Sequence, residues 1–181
     1  YTVGFQPDGV YASDPVNVAS GSFTNAVTDS AGSDVSLRYQ FADTTNPQEL
    51  AVVLRGTFTG NGGYEVRVDS NSSTGHLSKI TTGGPVDLGT FSVPVDTAGH
   101  RLRFRTQGTT IEAKEWDDGT AEPSGWSVVA TDSTTTTAGV TGVSDTESGS
   151  ASTSVTVDDW SQTNPTTPPA ATATYTYNAD Q

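Results

Sequence analysis

The stretch that decides the fold is Arg101–Glu115, RLRFRTQGTTIEAKE. Leu102 and Phe104 alternate with arginines, Ile111 and Ala113 alternate with Glu112 and Lys114, and Gln107-Gly108 lies between the two runs. A period of two is the spacing of a strand with one buried face. A two-residue turn at Gln107-Gly108 makes a hairpin that pairs Phe104 with Ile111 and Leu102 with Ala113 on the core side. The other face then pairs Arg103 with Glu112, an ion pair worth under ~1 kcal/mol at a surface. In this register His100 falls opposite Glu115. That pair reads as a surface hydrogen bond, with a proton-transfer pair as the sharper alternative.

The same signals extend outward. Phe58 and Tyr64 flank Gly60-Asn61-Gly62, and a three-residue loop there sets Phe58 opposite Tyr64 and Leu54 opposite Val68. Val35, Leu37, Tyr39 and Phe41 alternate with polar residues, and Leu50 to Leu54 is continuously apolar, as in a central strand. Further strands are expected at Ser127–Ala130, Val140–Val143 and Thr153–Trp160, with polar connectors at Asp132–Thr137 and Ser144–Ser152. No window places apolar residues at helical spacing, and there is no convincing internal repeat. About ten short strands with polar turns predict an all-β fold, an antiparallel two-sheet sandwich or jelly roll. Residues 1–163 form that domain. Asn164 to Ala171 is a Pro/Thr/Ala linker, able to span roughly 25 Å when extended. Residues 172–181 hold one more alternating segment, with Ala171, Ala173, Tyr175 and Tyr177 on one face, which reads as the start of a next domain, as a strand folded back on its own sheet edge, or as one exchanged with a neighbouring subunit.

Composition narrows the function. The 181 residues are 32% hydrophobic and 16% charged, and Ser, Thr and Gly fill the difference, as in a turn-rich extracellular module. A net charge of −13 repels nucleic acid and anionic lipid. The acidity reads as that of a secreted protein or as adaptation to high salt. Without cysteine there is no disulfide, thiolate nucleophile or zinc–thiolate site. No run approaches the ~18 apolar residues of a membrane-spanning helix. The chain starts at Tyr1 and holds no methionine, as expected of a processed product or a piece of a longer protein.

The segment from Arg101 to Asp132, the Gly-Val pattern at Gly139–Val143 and Val155-Thr-Val-Asp-Asp-Trp160 together resemble LamG-like jelly-roll modules. These belong to the concanavalin A-like lectin/glucanase superfamily and occur in actinobacterial secreted proteins and phage minor tail proteins. The resemblance covers roughly Asp34 to Thr163 and is loose over Tyr1–Asp14. It implies two curved antiparallel sheets, in some members with a sugar site. Glucanases of the superfamily carry a Glu-x-Asp-x-x-Glu run. Here Glu115-Trp-Asp117-Asp-Gly-Thr120 ends in Thr120, and Asp118-Gly119 reads as a turn. Catalysis is therefore not expected.

The resemblance also implies a structural calcium ion held by Asp159, with partner ligands near Asp8-Gly9; Asp158 and Asp159 are expected on opposite faces of their strand. Aromatic rings stack on sugar C–H patches, which nominates Trp116 with Asp117, Trp126 and Tyr64, with Tyr11 and Trp160 behind them. Each tryptophan equally suits a packing role. Asn71-Ser72-Ser73 is an N-glycosylation sequon. Tyr175 and Tyr177 are candidate anchors for strand addition to another subunit. The leading expectation is a non-catalytic extracellular or virion surface module that binds glycan or a surface protein. The alternative is a filament or virion subunit assembled through its terminal strand, and a glycan-cleaving enzyme comes third.

Overall fold

The computed structural model describes residues 32–57, 62–147 and 155–163, together with three two-residue strands before them. Those three are β1 (Phe5–Gln6), β2 (Gly9–Val10) and β3 (Val27–Thr28). The main strands are β4 (Gly32–Phe41), β5 (Gln48–Gly56), β6 (Tyr64–Asp69), β7 (Thr74–Thr81) and β8 (Gly84–Ser92). They continue with β9 (His100–Gln107), β10 (Thr110–Asp117), β11 (Val128–Thr131), β12 (Val140–Glu147) and β13 (Val155–Thr163). All pairings are antiparallel. The first large sheet has the order β11-β10-β9-β4-β13, the second β3-β12-β5-β6-β7-β8, and β1 pairs with β2. The fold is the expected all-β sandwich, with no helix among the described residues.

Alternation builds the core. Val35, Leu37, Tyr39 and Phe41 of β4, with Leu102 and Phe104 of β9 and Ile111 and Ala113 of β10, face Leu50, Val52, Leu54, Tyr64, Val66, Val68 and Leu77 of the second sheet. Phe104, Leu54 and Leu77 are fully buried. Each large apolar side chain so buried contributes about 1.5–3 kcal/mol from area alone. Trp160 also lies in this core.

Both hairpins form, in registers other than those expected. Ala113 pairs with Phe104 and Ile111 with Thr106, so the turn is Gly108-Thr109. Glycine takes the first turn position with φ +59°, the conformation a two-residue hairpin turn of this hand requires there. The slip by two keeps every face and changes the ion pairs. Glu112 meets Arg105, while Arg103 turns to Asp34 and Glu122. In the other hairpin Leu54 pairs with Tyr64 and Leu50 with Val68, so the connection between β5 and β6 runs from Thr57 to Gly63 rather than over three residues. Arg55 at φ +53° and Gly63 at φ +110° turn the chain there. The Arg55 side chain is fully buried and donates from Nη1 to Gly108 O (2.7 Å) and Thr135 O (3.0 Å), tying two loops to this end of the sandwich.

The sequence reading named no strand at β7 or β8. It also treated Ser144–Ser152 as a connector, whereas β12 continues to Glu147. The linker, Asp8, Tyr11, Tyr175 and Tyr177 lie outside the described residues.

Candidate functional site

The two sheets present outer faces of different character. On the first sheet, Arg38, Arg101, Arg103, Arg105 and Lys114 point outward, five of the eight Lys and Arg residues of the chain. Arg38 and Arg101 both donate to Asp118, each from Nε at 2.7 Å. Arg103 forks onto Asp34 at 2.8 and 2.6 Å and reaches Glu122 at 2.6 Å. Lys114 donates to Pro123 O at 2.6 Å and pairs with Glu122 at 2.7 Å. Trp126 covers this row, with Lys114 and Arg105 each 4.7 Å from its ring centroid. The connection from β10 to β11 thus folds back over the sheet, and every cation there has a carboxylate or an aromatic ring.

This arrangement places the tryptophan candidates. The Trp126 ring is half-buried against its own cations, and Trp116 is only 9% exposed on the same outer face. Asp117 is exposed at the end of β10. Tyr64 lies on neither outer face. Its ring is in the core, and its hydroxyl donates to Asp132 Oδ1 at 2.8 Å, so it offers no surface to a ligand. Asp132 also accepts from Lys79 at 3.0 Å. Burial pulls the Asp132 carboxyl up, but hydrogen bonds from Thr134, Lys79 and Tyr64 outweigh it and hold the group well below the usual range.

Asp158 and Asp159 fall on the same face. A bulge after Asp158, with Asp159 at φ +50°, breaks the alternation. The Asp159 carboxylate accepts from Arg101 Nη2 at 2.6 Å. Among the described residues no cluster of three His, Asp or Glu side chains could hold a metal ion.

His100 and Glu115 do meet, although the register pairs His100 with Asp117. His100 is 3% exposed, so this is not the surface hydrogen bond expected. Its Nε2 lies 2.8 Å from Asp96 Oδ1, and its Nδ1 lies 3.0 Å from Glu115 Oε1 and 3.4 Å from Asp117 Oδ1. Tyr39 donates to Glu115 at 3.4 Å. Burial, then repulsion from Asp117 against the pull of His100, pushes the Glu115 carboxyl up to about 7. The Asp118-Gly119 turn is present, with Gly119 at φ +82°. The carboxylates of the Glu115–Asp118 run therefore serve a buried histidine and two arginines.

The second sheet is different. Its β6 reads Tyr64-Glu-Val-Arg-Val-Asp69, and alternation that buries Tyr64, Val66 and Val68 turns Glu65, Arg67 and Asp69 outward. Antiparallel register sets Glu49 beside Asp69, Ala51 and His76 on either side of Arg67, and Ser78 beside Glu65. Asp87 of β8 follows, accepting from Ser78 at 2.8 Å and lying 3.1 Å from His76 Nδ1. Ala51, beside Arg67, is buried.

Pairing here is incomplete. Arg67 Nε lies 3.4 Å from Glu49, too poorly aligned to bond, and both Arg67 Nε and Glu65 Oε1 are shielded without a hydrogen-bond partner. Burial raises the carboxyls of Glu49, Glu65 and Asp69 above their ordinary values, and Arg67 opposes that rise in all three. Native proteins rarely leave such groups unbonded, so the charges on this face are less completely paired than those of the first sheet. The sequence reading missed this set because it sought tryptophans. The signal was the strict charge alternation on the polar face of a strand whose other face is core.

The solved structures that resemble this fold include a carbohydrate-binding module, CBM66 from Bacillus subtilis. It has a TM-score of 0.60 and 14% identity, over 77% of this chain and 78% of that one. Others are sheep galectin-11 in complex with glycerol (TM-score 0.48, 12% identity, 75% of this chain and 96% of that one) and the GH43 protein BlXynB from Bacillus licheniformis. The last has a TM-score of 0.49 and 12% identity, over 72% of this chain and 27% of that one. No protein-family model and no curated protein matches the sequence. At these identities the likeness is one of fold.

Proposed function

We propose that the chain is a non-catalytic glycan-binding module that acts outside the cell or on a virion, and that the outer face of the second sheet is its binding surface. One observation carries the reading: carboxylates, a guanidinium and an imidazole share that face, and their charges are less fully paired than those of the first sheet. Sugar hydroxyls donate and accept at once, so they suit a mixed array in which carboxylates only accept and arginine only donates. The first sheet's outer face lacks this quality, because its charges are already spent on one another. Kinship of fold with a carbohydrate-binding module supports the reading. A chain of net charge −13 favours neutral glycans over anionic ones.

The test is retardation of the protein in native gels cast with soluble neutral glucan, xylan or galactan. At least one should retard the wild type, and Arg67→Ala should abolish that retardation while the variant stays folded. Equal retardation of both proteins would move the site elsewhere, and no retardation by any neutral polysaccharide would remove the glycan reading.

A further inference from the structure

His100 opens β9 on its inward face, in line with Leu102 and Phe104, and so closes one end of the core. Carboxylates surround its ring. Asp96 meets Nε2 at 2.8 Å, while Glu115 and Asp117 lie 3.0 and 3.4 Å from Nδ1. Nδ1 makes no aligned hydrogen bond, so that side of the ring is held by charge. Asp96 and Asp117 reach water, but the Glu115 side chain is only 6% exposed. An ionised Glu115 between two other carboxylates is costly there, so the closed end depends on a proton held by the His100–Glu115 pair.

The same imidazole holds the connection between β8 and β9. Residues 95–98 of that connection are all exposed, so apolar burial does not fix them. Its ties are polar: Asp96 to His100, Gln40 Nε2 donating to Thr97 O at 2.8 Å, and Asp118 N donating to Gly99 O at 2.9 Å.

We propose that residues 94–99 form an acid-closed latch, which rests on the end of the core while the His100–Glu115 pair keeps its proton and lifts when that proton leaves. Once ionised, Glu115 repels Asp96 and Asp117 and draws water into this end. Its neighbours offer no relief. Tyr39 of β4 donates to Glu115 at 3.4 Å and stays protonated, because burial drives its hydroxyl far above the ordinary value. Arg38, close to Gly99, is taken up by Asp118 and Gln40. In the closed end burial lets Glu115 keep its proton up to about pH 7, whereas a wetted carboxyl releases it near 4.5. Opening therefore becomes easier as pH rises through that window and levels off above it.

Amide hydrogen exchange on the full chain at about pH 5 and about pH 7.5, corrected for the intrinsic pH dependence of exchange, tests this. The Asp118 amide reports on the latch and the Phe104 amide on the core. Expected in the wild type is a loss of protection at Asp118 of at least about tenfold between the two conditions, insensitive to low urea as local openings are. Glu115→Gln should show no such loss, and Asp96→Ala should leave Asp118 poorly protected at both pH values. Unchanged protection in the wild type, an equal loss in Glu115→Gln, or a urea dependence as steep as that of Phe104 would overturn the proposal. So would full protection at Asp118 in Asp96→Ala, a change at an exposed position that keeps the test intact if Glu115→Gln fails to fold.

Discussion

The outer faces of the two sheets answer the same problem in opposite ways. Both alternate charges along strands whose inner faces are core. On the first sheet, Arg38, Arg101, Arg103 and Lys114 are met by Asp118, Asp159, Asp34 and Glu122 at 2.6–2.8 Å, and Trp126 lies over the row. On the second, one arginine stands among Glu49, Glu65 and Asp69, its one ion pair is loose, and two polar atoms go unbonded. A face whose charges satisfy one another contributes to holding the sandwich together. A face whose charges are loosely paired contributes less to that hold, and it is the one proposed to meet a ligand.

Substitutions on the two faces should therefore read out differently. The largest loss of stability is expected from Arg103→Ala. It strips the two-bond fork from Asp34, whose side chain is 7% exposed, and should cost about 2 kcal/mol in urea unfolding without altering polysaccharide retardation. Arg67→Ala should do the reverse, weakening polysaccharide binding at least about tenfold while costing about 1 kcal/mol of stability or less. Trp126→Ala should cost about 1 kcal/mol through lost contacts with Arg105 and Lys114, again with retardation intact. If retardation fell instead, the first sheet would be the binding face.

The gentlest change is with pH. In the folded chain Glu115 holds its proton up to about pH 7, whereas in the unfolded chain it releases it near 4.5. A carboxyl raised in this way contributes stability in full below about pH 4.5, and that contribution is gone once pH passes about 7. Thermal unfolding should show a midpoint that falls across this window, and Glu115→Gln should flatten the fall. An unchanged slope in the variant would show that Glu115 is not its source.

Architecture was legible because it rests on period-two patterns, and these survive errors of register. Leu102 and Phe104 face the core whether the turn sits at Gln107-Gly108 or at Gly108-Thr109, since a slip of two residues preserves the face. The ion pairs do not survive such a slip, which is why Arg103 was assigned to Glu112 rather than to Asp34. β7 and β8 were missed because Thr74–Thr81 and Gly84–Ser92 are rich in Thr, Ser and Gly, and few of their residues reach the core. The candidate site was harder still. Glu49, Arg67, His76 and Asp87 come from four strands, and no local spacing brings them together. Only the pairing of β5 through β8 does so. Tyr64 shows the converse: exposure cannot be read from residue type, and its hydroxyl serves Asp132 instead.

The most direct test of the central claim is to map amide chemical shifts while titrating the full chain with the polysaccharide that retards it most. The account predicts perturbations gathered on Glu49, Ala51, Glu65, Arg67, His76 and Asp87, with the strands of the first sheet silent. Shifts centred on Arg103, Lys114 and Trp126 would contradict it.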